Sequence, residues 1–314
     1  MSANATVANA AVIPAARQAQ GHRIRLFALY AAAVALILAL TVYGFNYYTL
    51  DAGQRPLSPK HVLLKPSGSI GVKLGMLGLL MFLIIFLYPL RKRWAWLGKQ
   101  GSPRHWLDIH VMLGLSAPLI IAFHASFKFR GVAGMAFWIM SAVALSGVVG
   151  RYLYGQIPRS LSAAEMSFKE SQELQAQLTQ QLSRQKVISP EHLTPLFRLP
   201  SKEQVDQLQI LVALAYMFLL DCARPLHIAR LRWRVLSASA IVLTLGGLLH
   251  SGNRELENTI AVARQQATLS KRILFLSRSQ QVFHLWHVVH RPFSYSFAVL
   301  AVIHIGVVLL LGYM

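Results

Sequence analysis

The sequence has few charged residues and a single cysteine, and both shortages narrow what the chain can be. Charged residues make up 13% of its 314 residues and hydrophobic residues 55%, whereas a soluble domain usually has about 25% charged residues. Because Cys222 is alone, this chain cannot form an internal disulfide, hold an iron–sulfur cluster by itself or attach haem through a C-x-x-C-H motif. Any metal chemistry therefore depends on histidine.

Acidic residues are also scarce, with 11 Asp and Glu against 31 Lys and Arg, and the formal net charge is +20. In a chain this apolar, such an excess indicates basic cytoplasmic loops, which also favour anionic lipid headgroups. We therefore expect membrane lipid as a partner and no nucleic acid.

The sequence contains several long apolar windows. Each is about 20 residues long, enough to cross roughly 30 Å of hydrocarbon as a helix, and helix satisfies every backbone group inside lipid. The sequence therefore predicts an all-α integral membrane bundle of five or six transmembrane helices. The predicted windows are residues 26–45, 70–90, 107–127, 132–150 and 293–314.

The windows divide the chain into four parts. These are a cytoplasmic tail (1–25), four transmembrane helices (26–150), a largely helical and mostly cytoplasmic insertion (151–282) and a C-terminal transmembrane helix with a histidine-rich entry (283–314). Within the insertion, residues 160–184 are polar and read as a soluble helix.

The orientation follows from basic residues near the windows. Five Lys or Arg residues in "YPLRKRWAWLGKQGSPRH", between the second and third windows, place that loop and the N-terminus in the cytoplasm. Segments 208–222 and 235–250 are marginal as spans, so neither, one or both cross. Basic residues in 251–290 favour a cytoplasmic location for that region. This location requires that either both marginal segments cross the membrane or neither does, and it places the C-terminus outside.

Four histidines form two pairs with equal spacing. His110 and His124 are 14 residues apart, as are His290 and His304, and His124 and His304 lie deep in apolar windows, where ionisable groups are rare and usually functional. Fourteen helical residues advance about 21 Å with an azimuthal shift of only about 40°. Each helix thus presents two imidazoles on one side, one near each membrane face.

Two such helices side by side suit two stacked haems, each held by one histidine from either helix. Zinc or copper would need three or four ligands at one depth, whereas a porphyrin supplies four nitrogens itself. Two axial histidines fill both open iron positions, which favours electron transfer through non-covalent b-type haems. No residue is expected to be catalytic.

The pairing depends on the direction of the last helix. A parallel arrangement pairs His110 with His290 at an inner haem and His124 with His304 at an outer haem. An antiparallel one pairs His110 with His304 and His124 with His290. His287 is an alternative ligand to His290, but its 17-residue separation from His304 matches the first pair less well in depth and azimuth.

The segments "RHWLDIHVMLGLSAPLIIAFHASF" and "FHLWHVVHRPFSYSFAVLAVIHIG" resemble the ferric-reductase-like transmembrane cytochromes b. They are also similar to bacterial dihaem b-type membrane proteins that act beside multihaem cytochromes or ferredoxin-like partners. The resemblance covers about residues 104–154 and 283–313. It implies a bacterial inner membrane, and a redox partner such as a cytochrome c or ferredoxin-like protein, or a quinone.

One departure from that group concerns the electron donor. Its NADPH oxidase members carry a C-terminal flavin and nicotinamide domain, whereas this sequence ends at Met314 and shows no G-x-G-x-x-G on a strand-to-helix turn. We therefore expect the donor to be a quinol or a separate protein.

Three functions are consistent with the sequence. The first is an electron-transfer subunit of an oxidoreductase complex, carrying electrons between a quinol or cytoplasmic donor and an external partner. The alternative is a haem-free transporter or channel in which His124 and His304 relay protons. The third is a membrane anchor whose residues 160–282 bind a partner.

Overall fold

The computed structural model describes residues 3–157, 176–177, 179–181 and 190–312 together with Glu173 and Ile188, without the side chains of 3–19, Pro190 and Leu243. Among these residues every regular element is a helix, which confirms the all-α prediction for the part of the chain described. In chain order the α-helices are α1 (Ala3–Tyr48), α2 (His61–Leu64), α3 (Ser69–Leu90), α4 (Ala95–Gly98), α5 (Pro103–His124), α6 (Gly131–Tyr154), α7 (Pro190–Phe197), α8 (Lys202–Gln207), α9 (Ile210–Val235), α10 (Ala238–Leu243), α11 (Arg254–Leu274) and α12 (Leu276–Leu310).

Six helical stretches in the described ranges are long and apolar enough to cross a membrane, and they indicate an integral membrane protein. Five of them contain or overlap the five predicted windows, and the sixth includes most of the marginal segment 208–222. The prediction of five or six transmembrane helices is therefore confirmed in number and length. The stretches are Gln20–Tyr48, His61–Leu90, Pro103–His124, Gly131–Tyr154, Ile210–Val235 and Leu276–Leu310.

The two marginal segments differ in structure. Helix α9 continues well beyond residue 222 to Val235, because its basic second half is still a good helix former. The segment 235–250 contains only the six residues of α10. Leu245, Gly246 and Gly247 then adopt positive φ angles and end the helix, so this segment is too short to cross as a helix. Most of the predicted soluble helix 160–184 lies outside the described residues.

The last helix begins at Leu276 and not near residue 293, and Pro292 lies inside it. Proline lacks an N–H and leaves a carbonyl of the preceding turn unpaired. Two hydroxyls supply hydrogen bonds in this region: Ser294 donates to the carbonyl of His290 (2.7 Å) and Ser296 to that of Pro292 (3.1 Å). Neither of these is the carbonyl of Val288, which the proline leaves without its helical donor, and the helix nevertheless continues past the proline, as helices in membranes often do.

The chain forms two compact units, and the first comprises Met1–Arg151 with Val288–Met314. Its core lies where α3 packs on α5, with contributions from α1 and α6. Glycine permits a close approach there, because a Cβ on Gly78 would lie 2.3 Å from the Cδ1 of Ile121. Ser102 caps α5 by accepting from the N–H of His105, and Pro103 occupies its first turn. The buried core side chains are Leu40, Leu74, Met81, Ala117, Ile120, Phe123 and Met140.

The second unit comprises Tyr152–His287 and packs α7, α9 and α11 around a small apolar core. A buried ion pair joins two of these helices: Arg232, 5% exposed, donates from Nε and Nη2 to the carboxylate of Glu257 (2.9 and 2.6 Å). Nη1 of Arg232 also donates to the carbonyl of Gly247 (2.7 Å). The pair therefore fixes the turn after α10 as well as the contact of α9 with α11.

Candidate functional site

His110 and His124 on α5 are both held by backbone carbonyls of α3. Nδ1 of His110 lies 3.1 Å from the carbonyl oxygen of Ile85, and Nδ1 of His124 lies 2.8 Å from that of Gly71. Like the two histidines, these carbonyls are 14 residues apart, because α3 runs antiparallel to α5 with the same rise per residue. The 14-residue spacing of the histidines in α5 is thus equal to the spacing of their carbonyl partners in α3.

The carbonyl of Ile85 accepts from His110 because of a proline one turn further along. In a regular helix this oxygen would accept from the N–H of residue 89, but Pro89 has none. Inside lipid an unpaired carbonyl costs free energy, so the imidazole N–H supplies the missing hydrogen bond. The proline in "FLYPLRKR" is the feature of the sequence that could have indicated this contact. The prediction rested on the histidine spacing and did not use it.

The imidazole of His124 rests against the α3 backbone at Gly75. A Cβ at that position would lie 2.8 Å from Cε1 and 2.9 Å from Nδ1 of the ring. Only glycine leaves room for the ring in this position. Sequence reasoning missed Gly75, although the run of small residues in "IGVKLGMLGLL" is typical of close helix packing in membranes.

His290 and His304 lie on one face of α12, together with other half-buried positions at helical spacing. That face includes the small residues Ser294, Ala298 and Ala301, whereas Val289 and Val302 are exposed. The structure therefore presents both imidazoles on the same side of the helix with small side chains between them.

A serine on α6 positions His290. Nδ1 of His290 lies 2.8 Å from Oγ of Ser146, and this hydroxyl donates its own proton to the carbonyl of Val143 (2.8 Å). The Ser146 oxygen therefore accepts, and Nδ1 of His290 is the donor.

The alternative ligand His287, in the second unit, is held differently from His290. Its Nδ1 bonds the carbonyl of Phe283 in its own helix (3.1 Å), and its ring packs against Phe283 and Trp286.

These hydrogen bonds fix one tautomer at three of the four predicted residues, His110, His124 and His290. With Nδ1 protonated, Nε2 carries the lone pair, which is the form that binds a metal while the other nitrogen is held by an oxygen acceptor. For His304 the described residues provide no hydrogen bond, but its imidazole lies within electrostatic range of His124. In the parallel pairing, His124 and His304 would stand opposite each other.

The space next to His110 is open. A Cβ built on Gly114, one turn after His110, meets no atom within 4 Å, and the half-buried face of α12 is lined by small residues. A bulky group next to His110 would therefore meet no side chain at Gly114. Among the described residues there is no cluster of three or more His, Cys, Asp or Glu that could hold a bare metal ion.

Charged and aromatic side chains connect three helices near His110. Asp108 accepts from Nη2 of Arg151 on α6 (2.7 Å) and pairs with Nε2 of His22 on α1 (3.1 Å). The ring of His22 stacks on His105, with centroids 3.7 Å apart. Asp108 therefore links α1, α5 and α6 two residues before His110, a role beyond that of an acid at the start of a helix.

At the opposite end of α5 a buried arginine fixes the chain after His124. Arg55, 8% exposed, donates to the carbonyls of Ser126, Tyr48 and Leu50. Ser126 and Phe127 have φ angles of 48° and 58°, a left-handed conformation that ends α5 sharply. Arg55 therefore stabilises the turn that sets the position of His124.

Comparisons with protein-family models, with curated proteins and with solved structures found no match to this chain. What the fold and the site define is a class: an α-helical integral membrane protein with four imidazoles arranged as two pairs on two helices.

Proposed function

We propose that this protein is a membrane-embedded dihaem cytochrome b subunit. It would transfer electrons across the membrane between a quinol or cytoplasmic donor and an external redox partner. The observation that supports the proposal most is the hydrogen bond between Nδ1 and an oxygen atom at each of His110, His124 and His290. Each Nδ1 therefore faces an oxygen acceptor, and an oxygen acceptor at one ring nitrogen is the arrangement found around metal-bound histidine.

In this proposal each side chain has a defined task. His110 and His290 hold the inner haem, and His124 and His304 hold the outer haem. The carbonyls of Ile85 and Gly71 and the hydroxyl of Ser146 fix the orientation of three of these rings. When bound, the haems would supply reversible one-electron transfer.

Removal of single histidines tests the proposal. The purified wild-type chain should show the absorption bands of low-spin b haem on reduction and contain two haems per chain. His124→Ala and His304→Ala should each lose the same haem, and His110→Ala and His290→Ala should each lose the other. Haem content by pyridine haemochromogen and the reduced-minus-oxidised spectrum provide the measurement.

The matched controls are His284→Ala and His250→Ala, both at exposed positions, which should keep both haems. Loss of a haem in His287→Ala with none in His290→Ala would assign that ligand to His287. Wild-type protein without b-haem bands would overturn the proposal and favour proton relay by His124 and His304.

A further inference from the structure

The second unit contains a half-buried carboxylate, that of Asp221, with several cations near it. Asp221 on α9 pairs with Nζ of Lys271, which is only 1% exposed, and accepts from the hydroxyl of Tyr152 (2.7 Å). Arg224, one turn later, donates to the other carboxylate oxygen of Asp221 (3.2 Å). One negative charge is thus shared between two buried or half-buried cations.

Two more arginines increase the positive charge at this place. Arg264 and Arg272 on α11 lie within electrostatic range of Arg224, and Arg272 also of Lys271. Both side chains are exposed, and among the described residues neither forms an ion pair with a carboxylate. Four cations therefore lie near a single anion, and a further anion bound among them would reduce their mutual repulsion.

The donors of Arg224 leave capacity for such an anion. Nη1 is used by Asp221 and by Oγ1 of Thr268 (2.9 Å), whereas Nη2 has only a long contact, 3.5 Å, with the carbonyl of Ala267. Thr268 lies on the same face of α11 as Arg264, Lys271 and Arg272, at spacings of four, three and four residues. Guanidinium groups that converge in this way suit a phosphate.

Helix α9 is apolar in the half that precedes Asp221 and basic in the half that follows Asp221. Residues 210–220 contain no charged side chain, and Leu211, Phe218 and Leu219 are exposed by 75%, 53% and 61%. Arg224, Arg230 and Arg234 follow. Charged groups at the centre of a bilayer are costly, so this pattern matches a helix whose first half contacts acyl chains and whose second half lies among headgroups.

We propose that Arg224, Arg264 and Arg272 bind the phosphate group of an anionic phospholipid, whose acyl chains follow residues 210–220 of α9. The phosphate supplies the anion that the cluster lacks, and the exposed apolar side chains supply the surface for the chains. The site is separate from the four histidines, so it does not depend on the proposed electron-transfer function.

Lipid retention by the full chain tests the site. Purified protein in detergent is incubated with phosphatidylglycerol or phosphatidylcholine, passed through gel filtration, and its bound lipid is measured by mass spectrometry. The wild type should retain phosphatidylglycerol preferentially. The double variant Arg264→Gln, Arg272→Gln should need an about 30-fold higher phosphatidylglycerol concentration for half-saturation, given about 1 kcal/mol for each basic residue near a lipid headgroup.

The control is the double variant Arg198→Gln, Arg254→Gln, which removes the same charge from exposed positions outside α9 and the cluster and should bind as the wild type does. Unchanged retention in the Arg264/Arg272 variant, an equal loss in the control or equal retention of phosphatidylcholine would each overturn the proposal. Release of the lipid by inorganic phosphate would identify free phosphate as the ligand and overturn the lipid assignment.

Discussion

At the scale of single residues, His124 depends on the absence of a side chain at Gly75. Gly75→Ala would place a methyl group 2.8 Å from the imidazole, so the ring must move from its hydrogen bond with the carbonyl of Gly71. Under the proposed function, we expect the affinity for the outer haem to fall by about tenfold, the size typical of a lost partner of a metal-binding histidine. Haem titration of the purified variant measures the change.

Gly147→Ala is the matched control, because a Cβ at Gly147 meets no atom within 4 Å. In a helix this change usually stabilises by about 1 kcal/mol, and the haem affinity should stay as in the wild type. If both variants bound haem equally well, the contact of Gly75 with His124 would have no part in ligand positioning.

At the scale of elements, the ion pair of Arg232 and Glu257 joins α9 to α11. Glu257→Gln should lower the free energy of unfolding of the second unit by about 3 kcal/mol, because it leaves the buried guanidinium without its counter-charge. Thermal unfolding in detergent near neutral pH measures this. Glu255→Gln, at an exposed position two residues earlier, is the control and should change stability little.

The same pair predicts how stability depends on pH. Burial by itself would raise the pKa of Glu257, but hydrogen bonds from Arg232 and from the N–H and hydroxyl of Ser251 outweigh it and lower the pKa to about 2. Since the folded pKa lies below the ordinary 4.5, this contribution is complete above pH 4.5 and is lost as pH falls towards 2. The Glu257→Gln variant should lack that part of the acid destabilisation, and an identical acid profile would contradict the prediction.

At the scale of the whole molecule, the single cysteine reports the orientation. Cys222 is exposed and lies on α9, within the insertion predicted to be cytoplasmic. A membrane-impermeant maleimide should therefore label Cys222 in inverted membrane vesicles and not in intact cells. The Cys222→Ser variant controls for other reactive groups. Labelling from the outside would place this part of α9 on the external face and reverse the predicted orientation.

Much of the architecture could be predicted because hydropathy is a local property. The windows 26–45, 70–90, 107–127 and 132–150 fall on or overlap α1, α3, α5 and α6 almost completely, since about 20 apolar residues in a row have few alternatives to a membrane helix. The predictions were less accurate where local signals conflict. Pro292 lies inside the last helix and does not begin it, because a proline within a membrane helix is tolerated. The basic half of α9 continues a helix that hydropathy alone would end.

The sequence by itself determined the membrane class, the all-α fold and the equal 14-residue spacing of His110, His124, His290 and His304. Only the tertiary structure decided which nitrogen of each ring is engaged, because the partners of His110, His124 and His290 lie 25, 53 and 144 residues away in the chain. Hydropathy and periodicity act within one helix, whereas the tautomer of an imidazole is set by whichever oxygen a neighbouring helix brings to it.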